Sequence, residues 1–165
     1  MTLSTPMIWI TLPLVVAAIC VVLNKRRVLG IILTSVSAFG LAILAAFFPE
    51  EMVLSIGPLA LTFEESLSIL GRQITLAYEM LPFIAFIFGM LGLWGLSSNL
   101  PGVPNTFRPI GLIITASLTA ALGVEPFLYA ALLIETAVLV SIPMLATAEQ
   151  RNHQAILRYL SLMTI

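Results

Sequence analysis

The chain has 165 residues, of which 60% are apolar and 9% charged, with a net charge of −1, whereas a typical soluble domain carries about 25% charged residues. A mean hydropathy of +1.12 leaves too little polar surface to clothe a water-soluble fold, and the near-neutral balance excludes a basic nucleic-acid interface. The expected class is an all-α, polytopic transmembrane helix bundle in a single domain, an integral membrane protein with the lipid bilayer as its solvent.

Met1–Pro6 contains no basic residue, and the first positive cluster follows the first apolar run. That order is the reverse of a cleavable signal peptide, so the run is expected to stay as a membrane helix. The first predicted span is residues 7–23, with Trp9 near its outer end, where an interfacial aromatic sits. Cys20, the single cysteine, reads as a small packed hydrophobe. Asn24-Lys25-Arg26-Arg27 makes a tight polar turn into a second span at 28–48, which Pro49-Glu50-Glu51 ends because proline disfavours helix in the residue before it. So short a turn makes the two spans antiparallel neighbours.

Between residues 49 and 77 the pattern changes. Met52–Ile56 and Leu59–Phe63 flank Gly57-Pro58, and two short apolar runs around a turn pair predict a short extracytoplasmic β-hairpin over the helix ends. The third span, 80–98, carries Phe83, Phe86, Phe88 and Trp94, with Gly89 and Gly92 spaced for close approach of another helix. A loop rich in proline and glycine follows. The fourth span, 109–122, opens with Pro109 at the first helical position and carries Ala116, Thr119 and Ala120, a small-residue face expected to meet protein. The fifth span is 127–146, 20 residues with one ionisable group, Glu135, near the middle. Thr147–His153 is polar, and Gln154–Ile165 is apolar but too short to cross a bilayer, so a truncated sixth span (154–165) of a longer protein is expected.

The cations orient the bundle. Lys25, Arg26, Arg27, Arg108, Arg151 and Arg158 share one side of this topology and Arg72 alone takes the other. The positive-inside rule then places the N-terminus outside.

Glu135 is the sharpest chemical signal. A carboxylate at mid-membrane costs about 2.5–3.5 kcal/mol on insertion scales, so such a group normally faces protein or a wet cavity and marks an ion path. The competing reading is a protonated acid that fixes helix packing. Pro143 lacks an N–H and so leaves the Leu139 carbonyl, one turn beyond Glu135, free to hold water. Secondary candidates for the ion path are Glu79, at the outer start of the third span, and His153, in the loop after the fifth span, a residue type whose unperturbed side chain titrates near pH 6.5. No spacing of His, Cys or acids supports a metal, and no glycine-rich motif supports a cofactor.

Taken together, the outward N-terminus, two antiparallel spans joined by a basic turn, and a long outer segment before the third span resemble the antiporter-like proton-translocating membrane subunits. These occur in respiratory complex I, membrane-bound hydrogenases and multi-subunit cation/proton antiporters. The specific part is Leu133-Ile134-Glu135 in the fifth span, then a polar loop, then Ala155-Ile-Leu-Arg158-Tyr159 opening the sixth. It covers residues 109–165; the first 108 match by topology.

The resemblance implies that Glu135 is the family's fifth-helix glutamate, which pairs with a lysine on the seventh helix, and that Arg158 is the basic residue opening the sixth and a further secondary candidate for the ion path. The lysine, the broken helices and the second inverted repeat would lie beyond Ile165. It also implies a subunit that translocates protons or sodium ions, carries no redox cofactor, and works with other membrane subunits of an NADH dehydrogenase-like or hydrogenase-like oxidoreductase complex. The implied site is a bacterial or archaeal cell inner membrane. Two other functions compete: a structural or assembly membrane protein whose Glu135 only fixes packing, and a membrane enzyme using Glu135 and His153. The last is weakest, because the two groups sit at different depths.

Overall fold

The computed structural model describes residues 2–47, 53–56, 59–64, 66–69, 72–100, 103–145, 158 and 161. Five α-helices make up most of them: α1 (Thr5–Val22), α2 (Arg27–Ala46), α3 (Leu81–Ser97), α4 (Phe107–Gly123) and α5 (Leu128–Leu145). The order of links alternates. The α1–α2 connection is a short polar turn and the α3–α4 connection a longer link, and the connections before α1, between α2 and α3, and between α4 and α5 hold all the described strands. Consecutive helices therefore run up and down between a basic end and a sheet end.

α1, α2 and the stretch from the 3₁₀ turn Tyr78–Met80 through α3 are each long and apolar enough to cross a membrane. α4 has 17 residues, and the apolar part of α5 ends at Met144. At about 1.5 Å rise per residue each falls a few Å short of a hydrocarbon core about 30 Å thick. A bilayer accommodates such a deficit by thinning locally or by tilting of the neighbouring helices.

The sheet end carries more strand than a hairpin. β1 (Thr2–Ser4) runs parallel to β3 (Leu59–Glu64), which pairs antiparallel with β2 (Val53–Ile56). A second sheet pairs β4 (Ser66–Ile69) with β5 (Arg72–Thr75), and β5 with β6 (Val124–Glu125), all antiparallel. The expected hairpin is thus one of two, and each is completed by a strand from a distant link. Short apolar runs predict pairing with the nearest run; the partners contributed by β1 and β6 come from where the helices deliver the chain. The Gly57-Pro58 turn lies outside the described residues, as do Glu50, Glu51 and Glu65.

Packing departs from the nearest-neighbour expectation. α1 and α2 do touch, but α2 packs most extensively along α3, and α1 and α5 along α4. The core gathers Trp9, Ile84, Phe88 and Leu112 with Ala17, Ala38 and Leu76. Trp9, expected at the interface, is fully buried there. On α3 the glycines that meet a neighbour are Gly92 and Gly95. A Cβ on Gly92 would lie 2.8 Å from the Phe39 ring, and one on Gly95 would lie 2.7 Å from Ser35 Oγ, whereas Gly89 has open space. α4 starts two residues before Pro109, which is buried instead of opening the helix. Its Ala116, Thr119 and Ala120 are buried, as a small-residue face against protein requires.

Candidate ion-relay site

α5 is apolar on every face except where Glu135 and a few hydroxyls interrupt it. Its contact with α4 uses small residues, Ala130 and Ala137, both buried. These lie one heptad apart and bring the two helices close. Glu135 falls off that seam and is exposed. Around it run Leu128, Leu132 and Leu139, also exposed, at 76%, 59% and 56%. With Glu135 these residues follow a 4-3-4 spacing, the stripe along which one helix receives another. Thr136 beside it donates its hydroxyl to the Leu132 carbonyl at 2.8 Å, so it needs no outside acceptor. Pro143 sits inside α5 two turns further on, leaving the Leu139 carbonyl without its intrahelical donor.

Of the other candidates, Glu79 is not brought to Glu135. Glu79 is exposed in the 3₁₀ turn that leads into α3, at the sheet end. Arg158 is helical and exposed. His153 lies outside the described residues. Among the described residues no cluster of His, Cys and acids has the makings of a metal site.

The sequence reading passed over a second polar centre, at the basic end. Arg27 of α2 donates from Nη2 to the Ser98 carbonyl and to the Leu100 carbonyl, both at 2.8 Å, tying the end of α3 to the start of α2. Arg108 of α4 reaches across Gly30 and donates from Nη1 to the Arg27 carbonyl at 3.1 Å. The residue is 2% exposed, and its Nε and Nη2 have no hydrogen-bond partner among the described residues. Gly30 makes this possible, because a Cβ there would meet Arg108 Nε at 3.0 Å. Nearby, the Cys20 thiol and the Thr34 hydroxyl are 3.4 Å apart and buried. Asn105 completes the end by donating to the Asn24 carbonyl at 3.1 Å. The signal in the sequence was Arg108 itself, a lone cation in the first turn of a helix of small residues; cations at helix ends read first as solvated.

No protein-family model, no curated protein and no solved structure matches this chain.

Proposed function

We propose that the chain is an antiporter-like subunit of a redox-coupled membrane complex and translocates protons, with Glu135 as a relay. The observation that carries the proposal is the position of Glu135: midway along α5, on an outward apolar stripe and away from the seam with α4. A carboxyl on such a stripe is compensated only when a further helix brings a polar or cationic partner to it. That is the demand a relay makes, because movement of the partner changes the balance between the charged and the protonated acid. In this reading all five helices cross the membrane, Arg158 belongs to a sixth span over 154–165, the basic end is cytoplasmic, and the stripe receives other membrane subunits.

A purely structural role for Glu135 makes a different prediction. Glu135→Gln preserves size and most hydrogen bonding but cannot release a proton. In the assembled complex, reconstituted into vesicles at matched protein levels, the Gln variant is expected to assemble normally and to lose coupled proton uptake by about tenfold or more. Glu135→Asp is expected to keep part of the activity, since the acid survives with a shorter reach. Wild-type uptake by the Gln variant would leave Glu135 as a packing group and overturn the relay.

A further inference from the structure

α3 and α4 touch only sparsely along their length, and between them lies an open groove with a cavity of about 180 Å³, lined by Phe86, Met90, Leu91, Trp94, Gly111 and Thr115 among others. Nearly all of this lining is carbon; the Thr115 hydroxyl is turned inward to donate to the Gly111 carbonyl at 2.7 Å. The groove ends under the basic cluster. Trp94 meets Phe107 in a tilted ring contact, with centroids 4.9 Å apart and planes inclined at 47°; one turn beyond Trp94, Arg27 binds the Ser98 carbonyl, and Arg108 follows Phe107 directly.

We propose that this seam binds one anionic phospholipid, an acyl chain in the α3–α4 groove and the phosphate over Lys25, Arg26 and Arg27. The charge pattern selects the occupant. Lys25 and Arg26 are exposed and Arg27 is half-buried. Beneath them the enclosed Arg108 has two guanidinium nitrogens, Nε and Nη2, without partners among the described residues. The described acids lie elsewhere: Glu64 in β3, Glu79 before α3 and Glu125 in β6 belong to the sheet end, and Glu135 is midway along α5. A buried, uncompensated guanidinium projects its field through low-dielectric surroundings towards the nearest water, which is where a headgroup phosphate sits. Basic pockets between membrane helices bind anionic headgroups for this reason. An apolar groove continuous with such a cluster requires a ligand with a negative head and a hydrocarbon tail. The inference depends on the helices lying in a bilayer and is independent of any relay by Glu135.

Trp94 reports on the groove. The full 165-residue chain is placed in phosphatidylcholine bilayers containing a small fraction of phospholipid brominated on one acyl chain, and tryptophan fluorescence is read. Trp9 is fully buried, and its contribution is subtracted with Trp94→Phe. Brominated phosphatidylglycerol is expected to quench Trp94 about threefold more than the same small fraction of brominated phosphatidylcholine, an excess that falls as salt is raised. Lys25→Gln combined with Arg26→Gln, both at exposed positions, is expected to cut the excess to about half or less. Arg108→Met, which keeps the bulk and loses the charge, should also reduce it. Equal quenching by the two lipids overturns the proposal, and so does an excess that survives the double variant. Quenching by neither lipid, as when a second copy or another helix fills the groove, overturns it too.

Discussion

A guanidinium carries five N–H donors in a fixed fork, which lets one side chain hold several chain ends at once. Arg27 uses this to bind two carbonyls at the end of α3, Ser98 and Leu100. Those carbonyls belong to a helix terminus that has no intrahelical donors left to satisfy them. Arg27→Ala removes both bonds, and unfolding in mixed micelles is expected to show a loss of about 1.5–3 kcal/mol. Lysine at the same position keeps the charge but not the fork, and should recover only part of that loss. An unchanged transition in Arg27→Ala would mean that water serves the two carbonyls equally well. At this scale Glu135 is the contrasting case: the Arg27 Nη2 is held by two carbonyls within the chain, while Glu135 stands exposed on its helix.

Helix pairing in this molecule is decided by where side chains are absent. α3 meets α2 through Gly92 and Gly95, and the Phe39 ring lies over the bare Gly92 backbone. In a bilayer no hydrophobic force drives helices together, so close approach at small residues supplies the attraction through van der Waals contact. Gly92→Val would place carbon where the Phe39 ring already lies, and is expected to destabilise the α2–α3 pair by about 1–3 kcal/mol. Gly89→Ala faces open space and removes a flexible helix residue, so its stability should stay level or rise by up to about 1 kcal/mol. Unfolding midpoints for the two variants decide the matter, and equal behaviour would show that spacing, not contact, governs the glycines. Thr115 and Thr119 follow a related logic. Each donates to the carbonyl four residues earlier, at 2.7 and 2.9 Å, and so stays satisfied in an apolar setting.

Among the described residues most cations lie at one end and most acids at the other. Lys25, Arg26, Arg27 and Arg108 gather where α1 meets α2 and α3 meets α4, while Glu64, Glu79 and Glu125 lie with the sheets, as does one cation, Arg72 of β5. If the helices cross a membrane as proposed, the positive-inside rule makes the basic end cytoplasmic. With Cys20 replaced by alanine, Glu125→Cys in intact cells should react with an impermeant thiol reagent from outside. Arg26→Cys should be labelled only after the membrane is opened. Both positions are exposed, so a difference between them reports sidedness and not burial; the reverse pattern would invert the proposed topology. The sheets bear on the same scale. β1 and β6 come from opposite parts of the chain, and Gly123 lets α4 end against β5, since a Cβ there would meet the Thr75 carbonyl at 2.6 Å.

Five helices were legible in the sequence because apolar runs bounded by Pro, Gly and charged turns carry their own length and limits. Glu135 was legible for the same reason: one acid in an apolar run of 20 residues is conspicuous without any partner in view. Pairing was not. Nearly every face of α1, α3 and α5 is apolar, so no periodicity tells which face meets protein and which meets lipid. Only the tertiary structure placed α2 on α3 and α1 on α4, moved Trp9 from an expected interface into the core, and separated Gly92 from Gly89. It alone completed the two hairpins with β1 and β6, because strand partners distant in sequence are set by where helix ends deliver the chain. Arg108 belongs to both accounts: its charge was written in the sequence, but its burial came from Gly30, whose missing side chain leaves room for a guanidinium only once α2 and α4 are packed.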